Sequence, residues 1–178
     1  ARLLAEKNGD TISTVANTRF TDIPAHAWYS GYAKYLNNNG VTYGKSKTIF
    51  APDDAITRAE FTTLAVRFFD VYGDGDAEIM EQFSDFNDVS SGYWAAEYIK
   101  YAALHGWING YGDGSFHAER EINRAEVVTI VNRLLGREAD EDYIADNLRK
   151  LNTFPDVSRK HWAYYAVMEA ANAHTAVL

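Results

Sequence analysis

The stretch Phe20-Thr21-Asp22-Ile23 decides the fold of this chain, because it occurs three times. It returns 66 residues later as Phe86-Asn87-Asp88-Val89, and a further 68 residues on as Phe154-Pro155-Asp156-Val157. A tryptophan follows each copy at the same distance, at Trp28, Trp94 and Trp162. Such self-similarity indicates one supersecondary unit used repeatedly, each copy burying its apolar face against its neighbours. A site that recurs with the unit is more typical of a binding surface than of a single catalytic centre.

The composition is that of an acidic globular chain. Its 178 residues are 47% hydrophobic, enough for the core of one compact domain. The formal net charge of −8 argues against nucleic acid as a partner, although a local arginine can still attract a small anion. The absence of cysteine excludes a disulfide scaffold and thiol catalysis. No apolar run approaches the length of a membrane span, so we expect no membrane insertion.

The segment after each Phe-x-Asp copy has the periodicity of an amphipathic helix. In the second copy Trp94, Tyr98 and Ala102 share one apolar stripe, and Gly106 stands where a left-handed C-terminal cap is expected. Similar stripes follow Trp28 and Trp162. The pattern predicts first helices over residues 28–38, 94–104 and 162–173.

A second helix is predicted twice, each time after a capping box. Thr57 and Asn123 are the predicted N-caps, with Glu60 and Glu126 three residues later. Apolar residues then recur at helical spacing, so we expect helices over 58–69 and 124–135.

These helices divide one domain, residues 1–178, into repeats. We assign 1–19 to the tail of a preceding repeat and a linker, 20–85 to repeat 1, 86–153 to repeat 2 and 154–178 to the first half of repeat 3. Acidic linkers, near 70–85 and 136–153, separate them. The incomplete terminal repeats suggest self-association through the apolar surface that a missing half-repeat would leave.

The three recurring motifs together resemble the S-layer homology family. They are Phe-x-Asp with its tryptophan, Gly-Tyr-Gly-Asp-Gly at 110–114, and Ile-Thr-Arg-Ala-Glu at 56–60. The resemblance covers residues 20–178 and implies an all-α fold, in which helix-loop-helix repeats pack around a pseudo-threefold axis with grooves between them. It also implies non-covalent anchoring to secondary cell-wall polysaccharide, often pyruvylated, in the cell wall or S-layer outside a Gram-positive or related bacterium.

The resemblance also implies which residues line those grooves. Carried over to this sequence, they are Arg58, Arg124, Asp22, Asp88, Asp156, Trp28, Trp94, Trp162, Gly110, Gly112 and Gly114. Repeat 1 departs from the family, because residues 44–48 replace the Gly-rich loop, so its loop is expected to bind differently or not at all.

Each of these residues also has a structural interpretation. Arg58 and Arg124 follow an N-cap, where free N–H groups and a guanidinium suit a carboxylate, but a salt bridge between repeats would recur equally. The aspartates could order a turn, and the glycines could permit tight turns. The tryptophans open an apolar stripe, so most of each ring is expected in the core, with an edge that could stack on a sugar.

Two other function classes remain open. A structural interaction module would use the same repeats for protein packing without glycan binding. A wall hydrolase would need a carboxylate pair in a cleft that does not recur with the repeats, and the sequence marks none, so we predict no enzyme and no cofactor. Asp70 to Glu81 resembles a calcium loop, but Tyr72 stands at a ligand position, so an acidic linker is favoured and no metal is predicted.

Overall fold

A computed structural model of the chain describes residues 1–73 and 85–172. Within these ranges the chain forms seven helices, and its only β-pairing is an isolated bridge between Thr57 and Glu121. The helices are α1 (Arg2–Asn8), α2 (Ser30–Asn38), α3 (Arg58–Tyr72), α4 (Ala96–Leu104), α5 (Arg124–Leu134), α6 (Glu141–Asn147) and α7 (Tyr164–Ala171). The predicted all-α class is confirmed.

Both predicted capping boxes are present and fix where α3 and α5 begin. The Thr57 hydroxyl accepts from the Glu60 N–H at 3.2 Å, and a Glu60 carboxylate oxygen accepts from the Thr57 N–H at 2.9 Å. Asn123 and Glu126 make the same reciprocal pair at 3.0 Å each. The residue after each cap, Arg58 or Arg124, is therefore the first residue of its helix.

The second helix of each repeat packs against the first helix of the next. α3 contacts α4, and α5 contacts α7. The two second helices, α3 and α5, also contact each other, and α3 packs against α1 as well. The largest hydrophobic core lies around these contacts and includes Ile99, Trp107, Phe116 and Ile130. Repeats therefore meet along continuous packed junctions, and loop residues flank each junction.

The positions of the recurring tryptophans correct one prediction. Trp28, Trp94 and Trp162 are 77, 53 and 65% exposed, so the expectation that most of each ring lies in the core is wrong. The reason is where the helices start. α2, α4 and α7 each begin two residues after the tryptophan, which therefore lies in the preceding turn and not on the buried stripe.

Some predictions fall on residues 74–84 and 173–178, outside the described ranges. The calcium-like stretch lies mostly there, as does the end of the third predicted first helix. The repeat boundaries stay predictions. None of the described helices has both the length and the apolarity needed to cross a bilayer.

Candidate binding grooves between repeats

Two surface grooves lie at equivalent junctions between repeats. Groove 1, of about 500 Å³, lies between the repeat 1 loop at Tyr43 to Lys45, helix α3 and Trp94 of repeat 2. Groove 2, of about 290 Å³, lies between the repeat 2 loop at Asn109 to Tyr111, helix α5 and Trp162 of repeat 3. Each groove thus combines the loop and second helix of one repeat with the exposed tryptophan of the next.

The repeated aspartates shape the loops that border the grooves. Asp22 accepts hydrogen bonds from the N–H groups of Phe50 and Ala51 at 2.6–3.1 Å. Asp88 does the same for Phe116 and His117, at 2.7 Å each. Ala51 and His117 both adopt positive φ, near 58° and 56°, a conformation that costs energy for a residue with a Cβ.

The pKa values of these carboxyls fit that structural role. The Phe50 N–H lowers the pKa of Asp22. Burial opposes the same effect at Asp88, but the N–H groups of Phe116 and His117 outweigh it and the pKa is lowered there too. Asp156, the third copy, is exposed and accepts no side-chain hydrogen bond from the residues the structure describes.

The three loop glycines have different reasons to be glycine. A Cβ at Gly110 would lie 2.4 Å from the Phe86 ring and 2.6 Å from the Ser115 carbonyl, so only glycine allows this close approach. Gly114 has a φ of +81°, which favours glycine. Gly112 faces open space and has room for a side chain.

Arg58 of repeat 1 holds the loop of repeat 2. It is only 5% exposed. Its Nε donates to the Phe116 carbonyl at 2.9 Å and its Nη2 to the Asn109 carbonyl at 3.1 Å. Its Nη1 donates to Glu126 at 2.8 Å, and the guanidinium lies over the Tyr111 ring at 5.1 Å. Of the two interpretations left open by the sequence, these contacts match a salt bridge between repeats.

The carboxylate of Glu126 forms ion pairs with two arginines in groove 2. Besides Arg58, it accepts hydrogen bonds from the guanidinium of Arg120 and, at 3.1 Å, from the Tyr111 hydroxyl. Burial alone would raise its pKa, but the Asn123 N–H and the two arginines outweigh burial and lower the pKa. Groove 2 therefore contains an ionised but fully engaged carboxylate.

Groove 1 arranges the equivalent glutamate differently. Glu60 pairs with Lys45 at 2.5 Å, and Lys45 stands where repeat 2 has Tyr111. Burial raises the pKa of Glu60, and the bonds from Lys45 and the Thr57 N–H outweigh it, so the pKa is lowered. The lysine that departs from the family pattern thus neutralises the capping-box carboxylate of its own repeat.

Arg124 lies apart from the Gly-rich loop of its own repeat. It is exposed at the start of α5 and makes no side-chain hydrogen bond with the residues that the structure describes. The loop at 110–114 instead lies next to Arg58, because loop and arginine come together across the repeat junction. Trp28 is also outside both grooves and lies against Tyr29 and Tyr32.

Sequence reasoning missed a second set of arginines beside the junctions. Arg67 lines groove 1 and Arg133 lines groove 2, at positions 66 residues apart. Arg2 of α1 precedes two leucines as Arg133 does. The signal that could have found this set is the recurrence of an arginine followed by two large apolar residues. That pattern indicates part of a helix, and it does not show that a neighbouring repeat forms a groove beside the arginine.

The family model for the S-layer homology domain matches this chain twice, at residues 19–62 and 85–128. Each match runs from just before Phe-x-Asp to just after the capping box. The two matches therefore coincide with the two repeats that contain both a loop and a second helix.

Several relatives are surface proteins. The chain is 32% identical over 167 residues to cell surface glycoprotein 1 of Acetivibrio thermocellus, and 30% identical over 158 residues to the cellulosome-anchoring protein of the same organism. These alignments cover 89 and 88% of this chain but only 7 and 33% of those proteins. An exoglucanase, XynX, of Acetivibrio thermocellus is 30% identical over 119 residues, covering 67% of this chain and 11% of the enzyme.

The predicted cell-surface location is confirmed by the family match and by relatives of this kind, among them the surface-layer 125 kDa protein of Lysinibacillus sphaericus. That relative is 28% identical over 72% of this chain, which spans 11% of its length. Two matched repeats, their capping boxes and their surface-protein relatives lead to one conclusion: the chain belongs to the S-layer homology family.

Proposed function

We propose that this chain is a non-covalent anchoring module that binds secondary cell-wall polysaccharide, an anionic and pyruvylated glycan, in grooves 1 and 2. The observation that carries the proposal is the recurrence of an exposed tryptophan, Trp94 or Trp162, in each groove beside basic side chains. The flat face of an exposed indole suits the apolar face of a sugar ring. One relative is itself named a cellulosome-anchoring protein.

The predicted site residues take different roles in this proposal. Trp94 and Trp162 contact the sugar. Arg58, Asp88 and Gly110 act indirectly, because they hold the repeat 2 loop against the next repeat.

We also propose that the module is not catalytic. Ser115, His117 and Asp88 resemble a catalytic triad in composition. The Ser115 Oγ lies 3.1 Å from His117 Nε2, and an Asp88 carboxylate oxygen lies 3.6 Å from His117 Nδ1. The Ser115 hydroxyl donates to Asp113 at 2.6 Å, and Ser115 is 5% exposed. A nucleophile must face its substrate and give its proton to the base. This cluster therefore orders the loop.

The test is co-sedimentation with purified wall sacculi, before and after chemical removal of the secondary polysaccharide. We expect binding to native sacculi, loss of binding to stripped sacculi, and loss of binding in the Trp94→Ala/Trp162→Ala double variant. Trp28→Ala is the matched control, because that tryptophan is exposed but lies outside both grooves. Equal binding to native and stripped sacculi would overturn the proposal.

A second candidate, a structural interaction module, is favoured by Arg124. Arg58 shows what this position binds at the junction between repeats 1 and 2: two loop carbonyls and a capping-box carboxylate. Arg124 has the same place in repeat 2 and is exposed. Size-exclusion chromatography with light scattering tests this role. An assembly that Arg124→Ala dissociates would support it, and a monomer at all concentrations would contradict it.

A further inference from the structure

Arg2 of α1 and Arg67 of α3, which align with Arg133, each meet a tyrosine of the following repeat. The Nε and Nη2 atoms of Arg2 each lie 3.2 Å from the Tyr32 hydroxyl. Arg67 contacts the Tyr98 hydroxyl at 3.3–3.4 Å. Its guanidinium also lies over the rings of Tyr43 and Tyr98, at 4.8 and 5.0 Å. Stacking of this kind satisfies an arginine without an anion.

At the third junction both tyrosines are replaced. Tyr98 is the third residue of α4, and the third residue of α7 is Ala166. The Asn132 side chain donates to the Ala166 carbonyl at 2.9 Å, which places Ala166 beside the turn that precedes Arg133. The loop position of Tyr43 is occupied by Asn109 in repeat 2. Arg133 has lost both aromatic partners of Arg67.

The guanidinium of Arg133 therefore lacks the aromatic partners that Arg67 has. It has no hydrogen bond, ion pair or ring contact within residues 1–73 and 85–172. Arg133 is an exposed residue whose side chain lines groove 2, and partial burial there lowers its pKa. The carboxylate in the same groove, Glu126, is already engaged by Arg58 and Arg120. A free guanidinium that lines a groove with an exposed indole suits an anionic sugar.

We propose that groove 2 holds the anion-binding subsite of this module, with Arg133 binding a carboxylate or phosphate substituent of a sugar that stacks on Trp162. This inference rests on the proposed glycan-binding function. Groove 1 binds uncharged sugars of the same polysaccharide, because Tyr43 and Tyr98 cover the guanidinium of Arg67. The difference follows from Asn109 and Ala166, which stand where repeat 1 and α4 have Tyr43 and Tyr98.

The experiment uses three probes: a methyl N-acetylhexosaminide with a pyruvate ketal, the methyl ester of that ketal, and an N-acetylhexosamine 6-phosphate. Calorimetry in a Trp94→Ala background isolates groove 2. We expect the ketal to bind about tenfold or more tightly than its ester, in the range of a hydrogen bond to a charged group. Arg133→Gln should remove that preference without weakening the ester. The relative affinities of ketal and phosphate identify the substituent.

A reciprocal exchange tests the cause. Ala166→Tyr restores the tyrosine seen at the other junctions, so it should cover Arg133 and abolish the preference for the ketal. The Trp162→Ala background isolates groove 1, and there the protein should show no preference for the ketal over its ester. Adding Tyr43→Asn and Tyr98→Ala in that background should create the preference. Circular dichroism confirms that each variant is folded.

The outcomes separate this inference from the proposed function. Equal binding of ketal and ester in groove 2, or a preference that survives Arg133→Gln, overturns the anion subsite and leaves glycan binding intact. If native and stripped sacculi bind the protein equally, the proposed function fails, whatever the probes do.

Discussion

Grooves 1 and 2 are built from the same positions of two repeats, but their charges are arranged differently. In groove 1 the capping-box glutamate, Glu60, is paired by Lys45 from its own repeat. In groove 2 the equivalent Glu126 is paired by Arg58 from the preceding repeat and by Arg120 from its own repeat. The comparison shows that the repeat motif sets the shape of a groove, while the side chains that differ between the repeats set its chemistry.

The largest expected effect comes from breaking the contacts of Arg58 with Glu126 and with the loop of repeat 2. Arg58→Ala should lower the free energy of unfolding by about 3 kcal/mol, because it removes a buried guanidinium that bonds two carbonyls and a carboxylate. Arg124→Ala is the matched control at the equivalent exposed position, and should change it by less than about 0.5 kcal/mol. Urea unfolding monitored by circular dichroism measures both. Similar losses in the two variants would contradict the different roles assigned to these arginines.

A smaller effect is expected from the two glutamates. Glu126→Gln should cost about 1.5–3 kcal/mol, and Glu60→Gln should cost less, since Lys45 is itself partly exposed and surface pairs contribute about 0–1 kcal/mol. Urea midpoints at neutral pH give the comparison. A larger loss of unfolding free energy in Glu60→Gln than in Glu126→Gln would contradict the weaker pairing assigned to Glu60.

The same pair predicts a difference in pH dependence. Because the folded-state pKa of Glu126 is lowered, its contribution is complete above the unfolded value of about 4.3 and is lost as pH falls through the folded value. The stability of the wild type should therefore fall below about pH 5, and Glu126→Gln should fall less steeply. Thermal melts between neutral and acidic pH measure the slopes. Parallel slopes would show that Glu126 carries no such linkage.

The smallest expected difference is between the caps. Thr57→Ala and Asn123→Ala should each cost about 0.5–2 kcal/mol through loss of an N-cap hydrogen bond. The two values should agree closely, because both boxes have the same geometry. If either variant melts like the wild type, its cap does not stabilise the helix.

The helices could be predicted from the sequence because their signals are local. Thr57 and Glu60 are three residues apart, and an apolar stripe lies within one helix. The exposure of Trp94 could not be predicted, since the stripe does not say whether the helix begins at the tryptophan or, as observed, two residues later.

The chemistry of the grooves needed the three-dimensional arrangement. Arg58 meets Glu126 across 68 residues of sequence, and the loop that it holds belongs to another repeat. Arg133 differs from Arg67 because of residues at 109 and 166, neither of which is near it in sequence. Arginines at equivalent positions of the repeats therefore look the same in the sequence, although their neighbours in the structure differ.

The central claim is that the grooves between repeats hold cell-wall polysaccharide, and the four tryptophans allow a direct test. Each indole N–H gives one signal in a ¹H–¹⁵N NMR spectrum. The exposed Trp94 and Trp162 line the grooves, the buried Trp107 also lines groove 2, and Trp28 lies outside both. Titration with purified secondary polysaccharide should shift the signals of Trp94 and Trp162 and leave that of the exposed Trp28 in place. Binding that shifts Trp28 alone, or neither groove tryptophan, would contradict the account.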